Sequence, residues 1–99
     1  MQFKDDVSVR AARPELVLAI MVTNDLFRKH NAELVVTSIG DGQHQFGSRH
    51  YDGAAFDFRV YHLDRNRIDL VIKELKEALT KDYDVVLESD HGHVEYQPK

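Results

Sequence analysis

The chain has 99 residues, 42% of them hydrophobic and 30% charged, a balance that argues for one folded domain and against disorder. A formal net charge of -4 leaves no basic patch for nucleic acid, and no apolar run approaches the ~20 residues a membrane span needs. Neither nucleic acid nor membrane is therefore an expected partner, and a monomer is the expected state. Cysteine is absent, which excludes disulfides and thiolate metal ligands.

The first ten residues, "MQFKDDVSVR", carry acids where a secretory signal peptide needs an apolar stretch, so no signal peptide is expected. "RPELVLAIMVTNDLFRKH" follows and predicts a helix. Pro14 stands at the first helical position, Glu15 comes next, and Arg28, Lys29 and His30 end it, the charge order that a helix dipole favours. Leu16, Ile20 and Phe27 form one stripe, which Val17 and Met21 are expected to widen. "AELVVTSI" reads as a strand. Residues 40 to 53, "GDGQHQFGSRHYDG", hold four of the five glycines and predict a long loop, a feature usually tied to function or disorder.

"AAFDFRVYHL" reads as a second strand. "DRNRIDLVIKELKEAL" predicts a second helix, with Asp64 as its N-cap and Ile68, Val71, Ile72, Leu75 and Leu79 on one face. "YDVVLES" and "HVEYQ" close the chain as two more strands joined through "SDHG". The expected fold is α+β: an antiparallel sheet of about four strands with two helices on one face.

The two-residue period of a strand then sorts the side chains. Ala54, Phe56, Phe58 and Val60 are expected to face the helices, and Ala55, Asp57 and Arg59 the other way. In the last strand His91, His93 and Glu95 share one face, opposite Val94 and Tyr96. An acid and several histidines can thus meet on the helix-free face. Five of the six histidines lie between residues 44 and 93. Asp57 sits amid Ala-Ala-Phe and Phe, where an acid needs a strong partner; the bland alternative is pairing with Arg59 along the same strand face. His30 and His62 read as helix-end or solvent residues.

A catalytic zinc site takes three nitrogen or oxygen ligands and keeps one position open. His50, Asp57 and a histidine of "DHGH" would make such a set, and a carboxylate standing beside it would act as base. Asp90 lies three residues before His93, and Glu88 three before His91, so spacing alone leaves two pairings.

"SRHYDGAAFD" followed by "DHGHVE" resembles the zinc peptidases of the D-alanyl-D-alanine carboxypeptidase and L-alanyl-D-glutamate endopeptidase family, whose fold is shared with the hedgehog signalling domain. The shared pattern is Ser-x-His, six residues, Asp, and later an acid or histidine, two residues, then a zinc histidine often followed by Val and an acid. The longer run "VVTSIGDGQHQFGSRHYDGAAFDFR" looks like the small bacteriophage-type members, and the resemblance covers roughly residues 14 to 97.

The resemblance implies Zn²⁺ held by His50, Asp57 and His93, with Ser48 opening the motif. Asp90 becomes the base, and His91 or His44 helps the metal to steady the oxyanion. It also implies a zinc metallopeptidase hydrolysing peptidoglycan stem peptides, made in the cytoplasm and released in phage lysis or carried by a virion. The alternative is a non-catalytic zinc-binding or virion-associated domain on the same fold. Two points are particular to this chain. Where many members carry an arginine soon after the "TS" strand end, this sequence offers His44, and Arg49 stands close enough to the metal motif to take a substrate carboxylate. Glu95 is expected either to orient a ligand histidine or to face water.

Overall fold

A computed structural model describes residues 1–40 and 53–98 of the chain. Strand β1 is Gln2–Phe3, and a 3-10 turn at Val9–Ala11 leads into helix α1, Pro14–Lys29. Strands β2, Val35–Gly40, and β3, Ala55–Arg59, come next, then helix α2, Arg65–Ala78. Strands β4, Tyr83–Leu87, and β5, His91–Tyr96, end the chain.

The strands form one open sheet in the order β1-β2-β3-β5-β4, so β3 and β5 meet at its centre. All pairings are antiparallel except β1 with β2, which is parallel. This corrects the expectation of four antiparallel strands: the sheet has five and is mixed. The two residues of β1 are too few to show a period, and their pairing partner lies more than thirty residues away.

The helices form as their sequences predict. Pro14 opens α1, with Glu15 in its first turn and Arg28 and Lys29 in its last. The Asp64 carboxylate caps α2 by accepting from the Arg67 N–H at 2.8 Å. Both helices pack on each other and on the same face of the sheet, over one core built around Phe27, Phe56, Phe58, Leu16, Leu75 and Val94. Phe27 meets Phe58 edge to face, with ring centres 5.6 Å apart.

The stripe of α1 differs from expectation on one side. Leu16, Ile20 and Phe27 are buried, but Ala19 and Thr23 widen the stripe, while Val17 is only half-buried and Met21 lies 56% exposed. Thr23 tolerates burial because its hydroxyl donates to the Ala19 carbonyl at 2.8 Å. On α2, Val71, Ile72 and Leu75 are buried in the same core.

Three local features fix how β3 and β5 run. Gly53 takes a left-handed φ of 71° just before β3, a conformation glycine adopts without strain, and its carbonyl accepts from the Arg13 N–H at 2.9 Å. Between β2 and β3 the register passes from Val36↔Phe58 to Ser38↔Asp57, so Thr37 is an extra residue, a bulge beside Asp57. Gly92 lies directly beneath the Phe58 ring, and any Cβ there would stand inside it. That glycine lets β5 sit flat against the core while its neighbours, His91 and His93, face away. Among the described residues no helix is long and apolar enough to cross a membrane.

Candidate functional site

The register of the central strand pair sets Asp57 opposite His93, Arg59 opposite His91 and Ala55 opposite Glu95. Directly opposed residues of an antiparallel pair have Cβ atoms about 5 Å apart, close enough for an aspartate and a histidine to touch. They do. His93 Nδ1 stands 2.6 Å from Asp57 Oδ1, and its other ring nitrogen, Nε2, stands 3.1 Å from Glu95 Oε1.

The imidazole is thus held between two carboxylates, one on each side. Asp57 and His93 are partly buried, and Glu95 is only 2% exposed, with its second oxygen accepting from the Gln97 amide. The Asp57 hydrogen bond pushes the His93 pKa up to about 9; burial opposes this, and Glu95 adds to it. In the metal-free protein at neutral pH, His93 is therefore an imidazolium, donating from both nitrogens.

The neighbouring histidine forms a second pair. His91 Nδ1 donates to Asp90 Oδ1 at 2.8 Å, and its Nε2 lies 4.0 Å from Asp57 Oδ2. Asp90, 77% exposed, thus bonds to its immediate neighbour His91. Glu88 contributes a backbone N–H that donates to the His91 carbonyl at 2.8 Å and closes the hairpin between β4 and β5. The helix-free face therefore brings together Asp57, Asp90, His91, His93 and Glu95, five of the residues singled out from the sequence. His44, Ser48, Arg49 and His50 lie outside the described residues.

Asp57 takes His93 as its partner, not Arg59, whose guanidinium carbon lies 4.9 Å from the centre of the Tyr61 ring. His30 caps the end of α1 and bonds to Glu74, and the exposed His62 bonds to the Glu33 carbonyl, both outside the site.

Among the described residues no group of three histidine, aspartate or glutamate side chains is arranged to hold a metal. Asp57 and His93 are two of the three expected ligands. Their chemistry fits zinc: a carboxylate oxygen and an imidazole nitrogen face each other, and a buried carboxylate holds the far side of the ring. Ligating histidines are commonly oriented in this way, with the second ring N–H donated to a carboxylate. A bound cation would take the place of the proton that His93 now shares with Asp57.

Two open pockets flank this centre. One, of about 280 Å³, lies on the β1 side and includes Lys4, Thr37, Arg59 and Tyr61 next to Asp57 and His91. The other, of about 440 Å³, lies towards the β4 edge and is lined by Asp84, Glu88, His93 and Glu95 among others. The first contains residues that sequence reasoning missed. Lys4 and Thr37 reach it through a two-residue strand and a bulge, neither of which leaves a pattern in the sequence. Compared with family models, curated proteins and solved structures, the chain finds no match.

Proposed function

We propose that the protein is a zinc metallopeptidase of the hedgehog-type fold, acting on peptide bonds in the stem peptides of peptidoglycan. The observation that carries this reading is His93, fixed between Asp57 on one nitrogen and the buried Glu95 on the other. A histidine needed only for packing requires no such pair of carboxylates. The "SRHYDGAAFD" and "DHGHVE" motifs supply the rest of the argument.

Asp57 and His93, with His50 from the preceding motif, would hold the metal. Bound there, zinc would supply Lewis-acid activation of water and of the scissile carbonyl. Glu95 keeps the His93 ring in one orientation and favours one tautomer. Asp90 and His91 act as a hydrogen-bonded unit at the edge of the site. The carboxylate takes up the proton released in the attack and delivers it to the leaving amine, while His91 Nε2, facing Asp57, is placed to steady negative charge on the carbonyl oxygen. Among the described residues, pockets flank this centre on both sides, and an extended peptide would lie across β3 and β5 between them.

Elemental analysis of the purified protein, paired with digestion of purified peptidoglycan followed by mass spectrometry, tests the reading. One zinc per chain together with released stem-peptide fragments is the expected result. Zinc without hydrolysis would instead favour a non-catalytic zinc-binding or virion-associated domain, and absence of zinc from protein prepared with the metal supplied would overturn both.

A further inference from the structure

The sheet ends on two unlike strands. On one side stands β1, two residues long and too short to template another chain. On the other stands β4, five residues of regular strand that pair with β5 alone. In an antiparallel pair, every second residue turns its N–H and C=O away from the partner strand. Two hydrogen bonds fix which residues of β4 do so. The Gln97 N–H donates to the Asp82 carbonyl, and the Glu88 N–H donates to the His91 carbonyl. Asp82, Asp84, Val86 and Glu88 therefore direct their backbone groups to β5, while Val85 and Leu87 direct theirs to the outer edge. Among the described residues no strand lies beyond β4 to receive them.

The side chains along this edge select what can pair with it. Asp84, Val86 and Glu88 share one face, beside Glu95 and His93 of β5, and all five line the pocket of about 440 Å³. The basic group of that pocket, His93, is already held by Asp57 and Glu95. Asp84, Glu88 and Glu95 against one imidazolium leave the surplus negative. Val86, between the two edge acids, is 43% exposed.

A second copy of the chain is a poor occupant. Two β4 edges related by a two-fold axis must join outward residues to outward residues. The register centred on Val85 sets Asp82 against Glu88 of the other copy. Centring on Val86 sets Asp84 against Glu88, and centring on Asp84 sets that acid against itself. Like charges directly opposed destabilise a strand pair. The same acids favour a strand that carries cations.

We propose that the free edge of β4 docks an extended basic segment of a partner protein, which adds to the sheet as an antiparallel strand. Lysine or arginine of the segment stands opposite Asp84 and Glu88, with an apolar residue opposite Val86. The backbone groups of Val85 and Leu87 supply the hydrogen bonds, and the acids supply the choice of sequence. Val86 is paired with His93, so the added strand lies two strand spacings, about 10 Å, from that histidine and walls the β4 side of the site without entering it. Neither zinc nor hydrolysis is needed for this docking.

Two short peptides that differ only in charge test it: acetyl-KTVTK-amide and acetyl-ETVTE-amide, titrated into the full-length protein and followed by backbone amide resonances and hydrogen exchange. The lysine peptide is expected to bind saturably, about 10- to 100-fold more tightly than the glutamate peptide. It should slow exchange of the Val85 and Leu87 amides, while the Val86 amide, already bonded within the sheet, changes little. Methylating the backbone nitrogens of its two threonines, which face β4 in antiparallel pairing, should abolish binding; methylating that of its valine should not. In a protein that carries Asp84→Asn with Glu88→Gln, the two peptides should approach equal affinity, and a well-dispersed amide spectrum excludes unfolding as the cause.

Equal affinity of the two peptides for the wild type would overturn the proposal, as would undiminished binding of the threonine-methylated peptide. Binding that leaves the Val85 and Leu87 amides unprotected would reduce the contact to charge attraction at the surface and overturn edge pairing. Protection of both amides in the protein alone, rising with its concentration, would assign the edge to a second copy instead.

Discussion

Among the described residues a histidine meets a carboxylate in two clusters, and they are built on opposite principles. On the helix side, His30 and Lys29 at the end of α1 both donate to Glu74 of α2, at 2.7 and 2.8 Å. Two basic groups surround one acid, and their hydrogen bonds, that of His30 first, lower the Glu74 pKa. On the sheet face the ratio is reversed: two carboxylates surround one imidazole, raising the His93 pKa to about 9. The first cluster is complete in itself and ties two helices together. The second keeps a surplus of carboxylate even when His93 is protonated, and under the proposed function a divalent cation would answer that surplus.

Substitutions break this comparison most sharply at the ligands. Asp57→Ala, His93→Ala or His50→Ala should leave two ligands and lose zinc on dialysis, while Glu74→Gln should retain it in full. Metal analysis of the four dialysed proteins measures the contrast, and stoichiometric zinc in all of them would mean that the ligand set is wrong.

Asp90→Asn should retain zinc but lower turnover about 10²- to 10⁴-fold, since the amide cannot accept a proton, and Glu88→Gln should do far less. The reverse ranking in a stem-peptide assay would transfer the role of base to Glu88. Glu95→Gln tests the far side of the imidazole. Removing that charge should weaken zinc binding about 10- to 100-fold in a chelator competition, with the fold intact.

Gly92→Ala drives a methyl group into the buried Phe58 ring. It should cost about 1–3 kcal/mol in chemical denaturation, because a packed ring has little room to retreat.

The two clusters should also show opposite pH limbs in stability. The Glu74 pKa is lowered from 4.5 by folding, so its contribution is present above that value and fades as pH falls through the lower folded value. In metal-free protein the His93 pKa is raised from 6.5 to about 9, so its contribution is full below 6.5 and fades as pH rises through about 9. Denaturation midpoints across pH should lose the acid limb in Glu74→Gln and the alkaline limb in His93→Ala. An alkaline limb that survives in His93→Ala would contradict the sheet-face assignment.

Much of this arrangement was legible in the sequence, for identifiable reasons. The helices carry their own start and stop signals at Pro14 and Asp64, and the apolar period of α2 places its core face correctly. Alternation in "AAFDFRV" separates Phe56 and Phe58 from Asp57, and alternation in "HGHVE" puts His91, His93 and Glu95 together; only the choice of β5 as neighbour of β3 was needed to join them. What escaped depends on distant partners or on irregularity. Strand β1 is too short to carry a pattern, and the Thr37 bulge is a property of a strand pair, not of either strand. Met21 fits the period of α1 but points past the edge of the core, where Ala19 and Thr23 pack. The partner of Asp90 escaped for another reason: spacing placed it against His93, whereas its carboxylate meets the adjacent His91.

The most direct test of the central claim is a zinc titration of metal-free protein, followed through the side-chain nitrogen resonances of its histidines. At one equivalent, His93 Nδ1, the nitrogen facing Asp57, should take on the shift of a metal-bound nitrogen, while Nε2 keeps its proton towards Glu95 and the His30 resonances do not move. Saturation with His93 unperturbed, or a response centred on His30, would contradict it.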